Sequence, residues 1–165
     1  MNDAHWHLVV NHFPIIGTIF GLGTLIVGLV LKNNSVKNTA YILFAVAAIF
    51  AFASMATGEG AEEMVEDMPN IGHQIIHEHE ELAEKLALLL YATAVFSLLS
   101  IYTSVKKHRF SKIASYITLF LGIGATVVGT FVGTSGGEIR HTEIRDNNAK
   151  QAVENTIPKE QAEED

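Results

Sequence analysis

The chain has 165 residues and a formal net charge of −7, from eleven Lys and Arg against eighteen Asp and Glu, with eight His and no Cys. That composition excludes a nucleic-acid footprint, disulfides, iron–sulfur clusters, thiolate metal sites and haem attached through a Cys-x-x-Cys-His motif. Four long runs without Lys, Arg, Asp or Glu hold 89 of the residues, which excludes an ordinary soluble domain.

The first run covers residues 8–31. A helix of about 20 apolar residues crosses about 30 Å of hydrocarbon, so this run is long enough to span. Met1-Asn2-Asp3-Ala4-His5 has no basic start, so the run reads as a retained anchor and not a cleaved leader. Pro14 is tolerated in a first helical turn, but deeper in a helix it frees the carbonyl of Val10. His12, two residues earlier, is therefore expected near the start of the span or beside a kink. Gly17, Gly21, Thr24 and Gly28 share one helix face and would admit a close neighbour. The second run, 39–58, is rich in Ala and points the same way.

Residues 59–84 hold nine acids together with His73, His77 and His79. The third run is 86–105. If its helix extends back through the acidic segment, His73 and His77 share a face with Glu80, Glu81 and Glu84. His79 then falls with Ile75, Ile76, Leu82, Ala83 and Leu86 and points inward. The fourth run, 113–137, carries Gly122, Thr126, Gly129 and Gly133 on one face. Interior polar residues are Thr and Ser, expected to bond back to their own helix or to a neighbour, and no ionisable group lies deep in a run, which argues against a transporter.

The expected fold class is all-α, an integral membrane antiparallel four-helix bundle over 1–145, followed by a polar, mobile tail over 146–165. Lys32 and Lys37 flank the first pair of runs, and Lys106, Lys107, Arg109 and Lys112 flank the second. The positive-inside rule puts these two short connections in the cytoplasm. The termini and the acidic connection then lie outside a bacterial cytoplasmic membrane.

Seven of the eight histidines share that outer side, with Glu59, Glu80 and Glu138 among the acids at the helix ends. Imidazole suits haem iron, Fe, Cu and Zn, and helix bundles hold such groups between facing helices. The candidate cofactor ligands are His7, His12, His77, His79 and His141, of which His12 is the N-terminal one expected to face a buried group. Glu59, Glu80 and Glu138 are candidate metal or supporting ligands, Glu138 through the Glu-x-x-His spacing to His141.

His7-Leu8-Val9-Val10-Asn11-His12-Phe13-Pro14-Ile15, Thr57-Gly58, the His that opens the third helix and Gly136-Gly137-Glu138 together resemble a bacterial family of small four-span membrane proteins of unknown function. The resemblance covers about the first 141 residues and implies haem binding or respiratory electron transfer. Leu8 and Asn11 stand where that family has Pro and Val. The leading expectation is thus an outer-rim haem b site serving electron transfer with a redox partner protein. Two alternatives are a non-haem Fe, Cu or Zn binder or sensor, and a cofactor-free structural or assembly subunit, either of which could form a homo-oligomer. No nucleophile–base pair or phosphate loop suggests an independent enzyme.

Overall fold

The chain is described by a computed structural model covering residues 1–66, 68, 71–145, 147, 150 and 151. The expected tail, 146–165, lies outside the described residues apart from 147, 150 and 151. The described chain is helical, without strands: α1 (Asp3–Val10), α2 (His12–Val30), α3 (Asn34–Glu62), α4 (His73–Val105), α5 (Ser111–Arg140) and a 3-10 turn at Thr142–Ile144. Counting α1 and α2 together, four helices are long and apolar enough to cross a membrane.

The uncharged runs mark these helices but understate three of them. α3 continues to Glu62, α5 to Arg140, and α4 begins at His73, well before its uncharged run. At 1.5 Å per residue α4 is about 50 Å long, roughly 20 Å more than the hydrocarbon it would cross. Its extension is amphipathic: Ile75 and Ile76 are buried with Ile71, beneath Val65 and Ile139, while His73 and His77 are exposed. Charge on one face hides a helix from a charge count, but not from its periodicity.

The break between α1 and α2 falls at Asn11, and Pro14 stands in the first turn of α2, where its missing N–H is harmless. α2 and α4 end on the same backbone device. Lys32 and Lys107 both adopt φ 51°. Around them, Asn33 N–H reaches Gly28 O at 3.0 Å and Lys32 N–H reaches Leu29 O at 3.2 Å. His108 N–H likewise reaches Thr103 O at 2.8 Å and Lys107 N–H reaches Ser104 O at 3.1 Å. These are two Schellman turns, which satisfy the last carbonyls of each helix. Asn33 then caps α3, its side chain accepting from Ser35 and Val36 N–H.

α2 packs on α3 and α5, α4 packs on α3 and α5, and α1 lies along α3. The small-residue faces receive neighbours as their spacing suggests. A methyl on Gly17 would sit 3.1 Å from Ala47 Cβ, and one on Gly28 only 2.8 Å from the Lys37 backbone nitrogen. Phe44 of α3, fully buried, wedges its ring between Gly21 of α2 and Gly122 of α5. Gly129 and Gly133 of α5 instead lie under Ile15. The two glycine faces thus meet through inserted side chains rather than directly.

Buried hydroxyls complete the interior. Thr18, Thr93 and Thr118 donate to the carbonyls of Pro14, Leu89 and Ala114 in their own helices. Because the Thr118 proton is committed to Ala114, Ser100 donates across to Thr118 at 3.2 Å. Tyr41 donates to Ser115 at 2.7 Å, linking α3 to α5. The outward faces carry Phe20, Phe52, Leu88, Phe120 and Phe131, each more than half exposed. So much exposed apolar surface suits a hydrocarbon surround.

Candidate functional site

The end of the structure that carries the N-terminus is assembled from α1, the last turns of α3, the amphipathic start of α4 and the last turns of α5. Asn2 caps α1, accepting from His5 N–H, and Asp3 packs over Gly60, where a Cβ would lie 2.6 Å from its carboxylate. This contact brings α1 close enough to α3 for the His7 ring to reach Ser54 and Thr57, one turn apart on α3. His7 Nδ1 is 3.1 Å from the Ser54 carbonyl oxygen and 3.3 Å from Thr57 Oγ1. A carbonyl can only accept, so Nδ1 carries the proton, and the neutral ring keeps its lone pair on Nε2.

His79 is fixed in the same tautomer by a different route. Its Nδ1 lies 2.9 Å from Ser135 Oγ of α5, and the Ser135 hydroxyl donates to the Val132 carbonyl at 3.2 Å. With its proton committed there, Ser135 accepts from His79 Nδ1–H, and again Nε2 holds the lone pair. Both rings are half-buried, and they lie within electrostatic reach of one another. Each abuts a glycine. A Cβ on Gly58 would sit 3.8 Å from His7 Cε1, and one on Gly136 only 2.9 Å from His79 Cε1.

The other candidates are placed differently. His12 is exposed, within electrostatic reach of His7, so the N-terminal ring turned toward neighbouring helices is His7. His77 is exposed, with its ring 4.0 Å from Glu80 and 3.5 Å from Glu81. Glu80 also meets Glu62 carboxyl to carboxyl. Glu59 is exposed, and Glu138, half-buried, is engaged through its carbonyl, which accepts from Arg145 Nε at 2.7 Å. His141 lies beyond α5, exposed, 2.9 Å from Glu143. Its partner's carboxylate is held below the usual range by its own backbone N–H and then by His141. Among the described residues, no three His, Asp or Glu side chains converge as a metal site.

Ser54, Ser135 and Arg145 were not singled out by their spacing. Arg145 is buried and also donates to the Ile139 carbonyl at 2.8 Å, closing the end of α5. Its short distance from the helix end was the available signal. Ser135 adjoins Gly136, and Ser54 lies one turn before Thr57. Thus His7, Thr57-Gly58, His79 and Gly136, which are far apart in the chain, meet at one place. No family model matches the chain, and neither does any curated protein or solved structure.

Proposed function

We propose that the chain is an antiparallel four-helix bundle in a bacterial cytoplasmic membrane, with its basic turns inside and its termini and acidic connection outside, and that it holds a haem b at the outer rim for electron transfer. The observation that carries this reading is the pair of half-buried imidazoles, His7 and His79, each with Nδ1–H anchored and Nε2 free. Anchoring through the far ring nitrogen is how proteins orient histidine ligands and raise their basicity. Two such rings suit haem iron, which proteins hold through one or two side chains, better than a bare ion, which needs three or four. Gly136 lets the His79 ring lie where a Cβ would come within 2.9 Å of it.

In this role His7 and His79 would hold the haem, while the Ser54 carbonyl and Ser135 hydroxyl set ring orientation. Bound there, haem supplies reversible one-electron transfer. Exposed His12, His77 and His141 stay on the outer surface, where the acids around them offer a charged face to a redox partner. The test is an optical spectrum of the full chain, expressed with ample haem and purified in mild detergent. A Soret band is expected, lost in His7→Ala and His79→Ala and retained in His77→Ala and His141→Ala. No Soret band in the unaltered protein, or one surviving both inner substitutions, refutes it.

The cofactor-free subunit is the second reading, favoured by the same bonds, because His7 ties α1 to α3 and His79 ties α4 to α5. It predicts that His7→Ala and His79→Ala lower stability and that metal and haem are absent from the purified protein.

A further inference from the structure

The opposite end of the molecule carries a second polar feature, a cleft of about 420 Å³ between the start of α3 and the turn joining α4 to α5. Lys37, Lys107, His108, Arg109 and Lys112 line it. The sequence has no Asp or Glu between Asp3 and Glu59 or between Glu84 and Glu138, so the elements around the cleft supply no carboxylate. Among the described residues, none of its four Lys and Arg side chains forms an ion pair. Loop charges that act only as a topology signal need no common focus. These come from two separate segments and converge on one concavity.

Two of the cations are held in place. The backbone and Cγ of Lys37 lie on Gly28, where a Cβ would come within 2.8 Å, so its stem is fixed and its head reaches the cleft. Arg109 stacks its guanidinium 4.7 Å from the Phe110 ring centroid, which leaves its N–H edge free to donate. Phe110 N–H donates to His108 Nδ1 at 3.4 Å, which leaves Nε2–H of the neutral ring as a further donor. α3 and α5 begin here while α2 and α4 end here, so the helix dipoles offset one another and the side chains carry the charge of the cleft.

We propose that this cleft binds the headgroup phosphate of an anionic phospholipid from the adjacent leaflet. The argument for a lipid source is the apolar surface beside it: Val105 at the end of α4, Phe110 in the turn and Ile113 at the start of α5 are all exposed. A phosphate in the cleft would have its acyl chains against that surface. The inference rests on the membrane reading but not on the haem reading.

The test is native mass spectrometry of the delipidated full chain in detergent, titrated with phosphatidylglycerol or with phosphatidylcholine of the same acyl chains. Preferential binding of phosphatidylglycerol is expected. At about fivefold per lost cation, K37Q/R109Q should weaken it by about 25-fold, whereas K32Q/K106Q, of equal charge change but outside the cleft, should leave it within about threefold. Lys32, Lys106 and Arg109 are exposed and Lys37 is half-buried, and size-exclusion profiles check that the variants stay folded. Equal losses in the two variants, equal binding of phosphatidylcholine, or displacement by inorganic phosphate at comparable concentration each overturn the proposal. If the membrane reading itself fails, alkaline carbonate releases the protein from membranes without detergent. Failure of the lipid site alone leaves it membrane-bound with no lipid preference.

Discussion

Replacing Gly122 with Ala tests the packing of the interior on a single ring. The new Cβ would lie 2.8 Å from Phe44 Cζ and 3.2 Å from Cε1. Carbon atoms pack comfortably at about 3.5 Å or more, so the nearest contact is about 0.7 Å too short. On its other side the ring faces Gly21, where a Cβ would lie 3.1 Å away, so any retreat brings it toward the α2 backbone. Overpacking of this kind costs about 1–3 kcal/mol, partly offset by about 1 kcal/mol from the better helix propensity of Ala. Gly124→Ala removes the ambiguity, since it lies on the same helix with nothing within 4 Å of its Cβ position. Propensity cancels between the two variants, and Gly122→Ala should be less stable than Gly124→Ala by the packing cost alone, about 1–3 kcal/mol. Unfolding in detergent mixtures followed by circular dichroism gives the difference. Gly122→Ala should cost less in a Phe44→Leu background than in the unaltered chain, which is the recovery the wedge requires. Equal stability of the two alanine variants, or no recovery, would refute the wedge.

Three further outcomes are expected. Tyr41→Phe removes the donor to Ser115 and should cost about 1 kcal/mol in the same unfolding assay; a neutral result would mean the hydroxyl pair is not formed. Lys32→Gly and Lys107→Gly relieve left-handed backbone at φ 51° and should each stabilise by up to about 1 kcal/mol, whereas Lys→Ala at either position should not. Beyond α5, the lowered proton affinity of Glu143 means that its contact with His141 stays intact above the ordinary carboxylate range and is lost as pH falls through Glu143's own lower value. A carboxyl carbon NMR titration reads this directly, and a midpoint at or above the ordinary glutamate value contradicts it.

Much of this architecture was legible in the sequence. Absence of charge located the four long helices, and 3.6-residue periodicity placed His79 on the inward face of an extension that charge alone would have left as loop. Which N-terminal histidine turns inward was not legible. That depends on how the break at Asn11 rotates α1 and on the seating of Asp3 over Gly60, which is a tertiary contact. The glycine spacings likewise marked the close-packing faces without naming what enters them. A stripe of small residues specifies space, whereas its occupants, Phe44 and Ile15, are set by the register of other helices. Ser54 acts through its backbone carbonyl, which carries no residue signature at all.

The two Lys-tipped turns have a consequence for how the molecule stays oriented. A glycine would fit either turn with less strain, yet each tip holds an ammonium in left-handed backbone, at a conformational cost of about 1–2 kcal/mol. Carrying one lysine to the middle of a bilayer costs about 2.5–3.5 kcal/mol, so the barrier gained at each tip exceeds the strain. Lys32 and Lys107 close separate helix pairs, and inverting the whole protein would drag both charges through hydrocarbon together. In the membrane orientation proposed above, the tips would act as paired latches against inversion of the inserted chain.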